Sequence, residues 1–236
     1  MVRYGTSMRK RHPAPPSSSP VPSTSATSRH PVAVGEGAGA TVDERALAVR
    51  HRLQEAMASA VADKGLAATT IADVARLAGT SKRTFYEHYA DKTDCYLALF
   101  ATRSAAMIEA VDASLHPGEL PATVQLRHAA RTYLDVVTSD PVLGRGHLSE
   151  LATLGERAAT ARREVVDRHA TSILQMVERA RANGTAVRRI SHLEAVCVVG
   201  GLNEIGLRAL DPGSTTTLDD LVDSATRFMT AVLLTD

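Results

Sequence analysis

The side chains best suited to chemistry with another molecule crowd one short stretch. They are Lys82, Arg83, Thr84, Tyr86 and His88, preceded by Thr80 and Ser81 and followed by Lys92. Two of the chain's four lysines, Lys82 and Lys92, flank this stretch, and five of its eight aromatic residues lie between Phe85 and Phe100. On a helix, Lys82, Arg83, Thr84, Tyr86 and His88 fall on the outward side while Phe85 and Tyr89 face in. A cationic, hydrogen-bonding helix face is what phosphate oxygens and base edges require. An ordinary helical hairpin can carry the same face as a solvated surface, so spacing alone leaves both readings open.

The elements that must hold this face are legible from caps and breakers. From Asp43 onward, Val49, Leu53, Met57 and Val61, with Ala56 and Ala60, recur at helical spacing, and Gly65 follows as a stop. Thr70 and Asp73 have capping-box spacing and open a helix with Ile71, Val74, Ala75 and Ala78 as its apolar face. Gly79 breaks that helix, Ser81 caps the next, and Asp91 caps a longer one with Cys95, Leu99 and Met107. Two short helices joined at Gly79 make a helix-turn-helix, whose second helix can lie in the major groove. Further helices are predicted from Pro121 as first helical residue, after Asp140-Pro141, over about Glu156–Arg181, over 191–210, and from the capping box Thr217/Asp220. The expectation is an all-α chain of about nine helices without a strand.

Composition agrees with that class and narrows the function. Only 3% of the 236 residues are aromatic, and strands favour the aromatic and β-branched residues that are scarce here. The absence of a long apolar run argues against a membrane span. The cluster Arg9, Lys10, Arg11 is followed by prolines and serines instead of an apolar stretch, so a secretory signal is not expected. A soluble, cytoplasmic protein is anticipated. Cys95 and Cys197, far apart in sequence, suggest no disulfide framework. Residues 1–42 read as a disordered Pro/Ser-rich tail. Arg3, Arg9, Lys10, Arg11 and Arg29 against Glu36 make its charge basic, while the whole chain carries only +1.

The run from Val49 to Leu99 resembles the DNA-binding domain of the tetracycline-repressor (TetR) family of bacterial regulators. Gly65 and Thr69-Thr70-Ile71 match the family's end of the first helix and start of the second. Ala78-Gly79-Thr80-Ser81 matches its turn, with Thr80 where an apolar residue is usual. Thr84-Phe85-Tyr86-Glu87-His88-Tyr89 matches the end of its recognition helix, and Lys92 the lysine after the next turn. Fainter likenesses at Glu150–Gly155 and Val199–Ile205 fall in the second half.

The resemblance implies a three-helix DNA-binding head over residues 43–90 and a helical-bundle ligand-binding and dimerisation domain over 91–236. It implies that Thr70 and the amides after it, with Tyr86, His88 and Lys92, contact phosphates. Thr80, Ser81, Lys82, Arg83 and Thr84 would line the end that enters the groove, Lys82 and Arg83 reaching guanine edges. The implied partners are a palindromic double-stranded DNA operator, a second copy of the chain, and an unidentified small-molecule effector that releases the DNA. No membrane partner is implied.

Candidates in the second half carry two readings each. Met107, Tyr133, His147, His169 and Met176 could line an effector cavity or be ordinary core. His147 and Glu150 stand at i, i+3, yet a di-metal centre needs a second such pair and further carboxylates, so no metal is expected. Cys95 reads as a packed small hydrophobe. The segment Val196–Leu210 is apolar nearly all round, so a second subunit should cover one side. Val196, Val199, Gly200, Gly201, Asn203, Leu207, Leu221 and Phe228 are the expected interface, the glycines allowing close helix approach. Asn203 is assigned to pairing or register there, with a ligand contact as its alternative. No phosphate loop, nucleophile elbow or triad stands out, so no catalytic residue and no cofactor is expected. A small-molecule-binding bundle or enzyme, and a DNA-binding regulator without effector, remain the competing functions.

Overall fold

The computed structural model describes residues 41–116, 120–140, 142, 144, 151, 154–211 and 213–235. Thr41 opens the first helix with a capping box, its hydroxyl accepting from the Glu44 amide at 3.2 Å. Helix α1 (Val42–Ala68) thus starts one residue before the expected Asp43. Leu53, Met57 and Val61 are fully buried along its apolar stripe. Gly65, at φ 76°, takes a left-handed conformation that interrupts α1 where a stop was expected, and helical turns resume to Ala68. Helix α2 (Ile71–Leu77) and helix α3 (Lys82–His88) follow, and α4 (Lys92–Ala113) starts at the Asp91 cap.

The remaining helices are α5 (Ala122–Ser139), α6 (Glu156–Ala182), α7 (His192–Ala209) and α8 (Leu218–Leu233). Pro121 is the cap of α5 and not its first helical residue, so the helix starts one position later than expected. Asn183 caps the end of α6 and Gly184 follows with left-handed φ. Thr217 and Asp220 form the expected capping box, and Ser191 with Glu194 forms a further one at α7. Eight helices and no strand lie among the described residues, with a single antiparallel bridge between Val187 and Leu234. The tail at 1–40 and most of the short segment after Asp140 fall outside them.

Helix α1 packs on α2 and α4, and α2 on α3. Helices α4 to α8 pack around one another, with α6 against α7 and α5 against α8 as the broadest contacts. The expected division at residues 90/91 coincides with the cap of α4. The buried core does not break there: it runs from Leu53 and Phe85 through Phe100 and Met107 to Leu134 and Met229. Helix α4 therefore belongs to both halves.

Candidate functional site

The expected recognition face is built on a short, tightly held helix. Gly79 turns the chain at φ 63°, a conformation that costs a side-chain-bearing residue energy, and the Thr80 amide closes the turn on the Ala75 carbonyl at 2.9 Å. Ser81 Oγ then caps α3 by accepting from the Thr84 amide at 3.0 Å. Phe85 is fully buried and Tyr89 nearly so, which fixes which side of α3 faces out. Lys82, Arg83 and Tyr86 are exposed, Tyr86 to 57%, while Thr80, Thr84 and His88 are half-buried. Arg83 lies 3.2 Å from Glu87 in an exposed i, i+4 pair, which costs little to exchange for another partner.

Two residues of α1 that the sequence reading passed over clamp this helix. Gln54 Nε2 donates to the Tyr89 hydroxyl at 3.1 Å, and the Arg50 guanidinium lies 4.8 Å from the Tyr89 ring centroid. Arg50 Nη1 also donates to the His88 carbonyl at 3.2 Å. Burial raises the Tyr89 phenol above its ordinary value, the Gln54 bond acting the other way. A glutamine set within an apolar stripe was the available signal, because a buried amide needs a partner.

Two of the expected phosphate contacts have internal partners. The Thr70 hydroxyl donates to the Asp73 carboxylate at 2.6 Å, and Asp73 also accepts from Lys64 at 2.8 Å. The Lys64 and Thr70 bonds hold Asp73 well below the usual carboxylate range. Lys92 departs furthest from its assigned role. Its ammonium donates to the carbonyls of Leu66 (2.8 Å), Ala67 (3.3 Å) and Thr69 (2.8 Å). Those carbonyls lie at the C-terminal end of α1, where a cation is favoured by both hydrogen bonding and the helix dipole. Lys92 thus ties the end of α1 to the start of α4.

In the second half, α4 to α8 enclose a cavity of about 320 Å³. Met107, Tyr133, His169 and Met176 all line it, coming from three helices. His147 lies outside the described residues. Most of the wall is apolar, with Ile108, Val111, Leu126, Ile173, Leu202 and Leu233 among its members. Polar groups are few. His169 Nε2 sits 3.3 Å from the Ser104 carbonyl; since a carbonyl only accepts, Nε2 carries the proton and Nδ1 remains an acceptor. Burial lowers the His169 imidazole to about 4, so the ring is neutral near pH 7. Burial also raises the Tyr133 phenol, whose hydroxyl donates to Asn203 Oδ1 at 2.9 Å. A mostly apolar cavity with a few placed polar groups is the ordinary form of a small-molecule site.

The expected interface residues divide. Asn203 is buried, its Oδ1 accepting from the Tyr133 hydroxyl of its own chain. A Cβ on Gly201 would stand 2.9 Å from the Phe228 ring, and one on Gly206 would stand 3.3 Å from Val137. Close approach at these two glycines therefore serves α7 packing on α8 and α5 within the subunit. Val199 and Leu221 are buried in the chain's own core, and Val199 lines the cavity. Gly200 is exposed with open space around it, while Val196, Leu207 and Phe228 are half-buried. An all-round apolar helix such as α7 is explained first by neighbours on several sides.

Among the described residues, no group of three or more His, Cys, Asp or Glu side chains could hold a metal, and His147 and Glu150 lie outside them. Cys95 is buried under α1 and its thiol is pushed up to about 12 by burial, as suits a packed hydrophobe. No described helix is long and apolar enough to cross a membrane.

The arrangement defines a helix-turn-helix head on a cavity-bearing helical body. Residues 55–99 match the family model of bacterial regulatory proteins, tetR family. The transcriptional regulator FadR from Bacillus subtilis, solved in complex with stearoyl-CoA, is 16% identical with a TM-score of 0.62, covering 76% of this chain and 96% of its own. SmeT, the repressor of the Stenotrophomonas maltophilia multidrug efflux pump SmeDEF, is 15% identical with a TM-score of 0.60, covering 79% of this chain and 91% of its own. At such identities the likeness is one of fold. No curated protein matches the sequence.

Proposed function

We propose that the chain is a dimeric, ligand-responsive transcriptional repressor that binds a palindromic operator and is released by a small molecule held in the body. The observation that carries this reading is α3: a short helix clamped by Arg50, Gln54 and Phe85 that turns Lys82, Arg83 and Tyr86 to solvent. Residues 43–90 act as the DNA-binding head and 91–236 as the ligand-binding and dimerisation body. Thr80, Ser81 and Thr84 stand at the start of α3 beside the two cations, so this end enters the major groove. His88 and Thr70 flank the backbone.

The body supports control of the head through two helices. Helices α4 and α6 both wall the cavity, and Arg157 in the first turn of α6 lies 2.7 Å from Asp91, the cap of α4. A ligand that prefers one spacing of α4 and α6 shifts the start of α4, directly after Tyr89 of α3. Half-sites about 34–36 Å apart tolerate little change in the separation of two recognition helices. The outward side of α7 carries exposed Leu193, Cys197 and Gly200, a surface that a second copy would cover.

A gel shift with the DNA upstream of its own gene tests the reading. Wild type is expected to form a discrete complex that the Lys82→Ala/Arg83→Ala variant forms about tenfold or more weakly, with its thermal stability unchanged. Equal binding by the two proteins would contradict the assignment of α3.

A further inference from the structure

The cavity has a charged neighbour that the repressor reading leaves unused. The loop between α6 and α7 runs beside the end of α8, bridging Val187 to Leu234, with the Arg188 amide donating to the Leu233 carbonyl at 2.8 Å. This pairing forms a thin strap with different surroundings on its two sides. On one side Val187, Leu233 and Leu234 line the apolar cavity. On the other, Val187 and Thr235 line an open recess of about 500 Å³ together with Arg181, Arg188, Arg189 and Glu194.

The charges around the strap do not balance. Within the cavity wall, Arg179 is ion-paired with Asp112, so that pair contributes no net charge. In the recess, Arg181 is paired at 3.1 Å with Glu178, which is not part of its wall. Glu194 accepts from the Ser191 amide at 2.6 Å and the Ser191 hydroxyl at 2.8 Å, and its negative charge also feels Arg188. Arg188 and Arg189 are exposed guanidiniums with no acid within ion-pair distance among the described residues, so with Glu194 as the acid of this wall the recess keeps an excess of positive charge. A concave surface with excess positive charge beside a low-dielectric wall attracts anions, and guanidinium pairs match carboxylate and phosphate oxygens.

We propose that the effector is an anionic amphiphile, with its apolar part in the cavity and its carboxylate or phosphate head at Arg188 and Arg189 across the strap. This rests on the cavity being the effector site. The apolar part accounts for residence in the cavity and the head for selectivity, since a neutral analogue would leave both arginines unpaired. The strap is the segment that has to yield for the head to remain outside while the chain enters. The ligand therefore reports its presence at the ends of α6 and α8 as well as along α4.

Calorimetric titration of the full chain with four ten-carbon probes tests this: decanoate, decyl phosphate, decanol and decyltrimethylammonium. The two anions are expected to bind about tenfold or more tightly than decanol. That preference is expected to shrink with added salt and to disappear in Arg188→Gln/Arg189→Gln, with decanol affinity unchanged. Arg189→Gln alone serves where the double variant folds poorly, because Arg188 also donates to the Ala231 carbonyl at 3.4 Å. The ratio of decanoate to decyl phosphate distinguishes a carboxylate head from a phosphate one. Met176→Trp, which fills the cavity, should abolish binding of every probe. Equal affinity for anions and decanol, lost in Met176→Trp, would overturn the anionic head while leaving the cavity as the effector site. Tighter binding of the cation would overturn it in favour of Asp112. Anion binding that survives Met176→Trp would overturn both the amphiphile and the cavity.

Discussion

The head and the body of this molecule spend their polar groups in opposite ways. In the head, hydrogen bonds and caps within a few residues fix α2 and α3, and the outer side of α3 turns Lys82, Arg83 and Tyr86 to solvent. In the body, the polar groups turn inward: Tyr133 meets Asn203, and His169 meets the Ser104 carbonyl, across helices distant in sequence. The head is rigid and presents charge; the body is hollow and presents apolar surface. Coupling the two needs a shared element, and α4, with its cap held by Arg157, is that element. Under the proposed function the asymmetry matters, because a ligand deforms a hollow body more easily than a clamped helix.

The comparison breaks most visibly at Phe85. Truncating this fully buried ring to Ala should cost about 3–5 kcal/mol in chemical denaturation and remove DNA binding with it. A loss of binding without loss of stability would mean that α3 is not clamped as described.

The body should reveal itself through pH. His169 is lowered from its ordinary 6.5 to about 4 by burial, so between those values the unfolded chain takes up a proton that the folded chain refuses. Stability therefore falls as pH drops through that window, by roughly 3 kcal/mol at its lower end. His169→Leu should lose this increment of acid sensitivity when unfolding is followed from pH 7 to pH 4. An unchanged pH profile would place the imidazole in water.

Lys92 sharpens the boundary between the halves. Replacing it with Met should cost about 1.5–3 kcal/mol of stability, because three carbonyls lose a charged donor. If instead the ammonium contacts a phosphate, the slope of log affinity against log salt should fall by about one while stability holds. Measuring both separates the tether from the contact.

The head was legible because its signals are local. Thr70 with Asp73, Gly79, Ser81 and Asp91 each act within one turn of helix, so each cap appears where spacing places it. The Lys92 tether was not legible because its partners are more than twenty residues away, and sequence carries no mark of which carbonyls a distant ammonium will meet. The body was legible only as helices. Met107, Tyr133, His169 and Met176 were singled out as polar or adaptable residues on inward faces, but nothing in their spacing shows that they meet around one space. Asn203 and Gly201 were read as interface because an all-round apolar helix has two explanations, burial by its own chain and burial by another. Tyr133 and Phe228 supply neighbours of the first kind at those two positions.

The most direct test of a two-headed, α3-led reader of DNA is selection from a random double-stranded library by the purified full-length chain, with the Lys82→Ala/Arg83→Ala variant alongside. Wild type should enrich a two-fold-symmetric sequence whose half-sites are separated by about one helical turn, 10–10.5 base pairs, or a multiple of it. The variant should enrich the same symmetry with weaker base preference at the positions nearest the start of α3, or nothing. Enrichment of an asymmetric single site, or the same preferences from both proteins, would contradict the account.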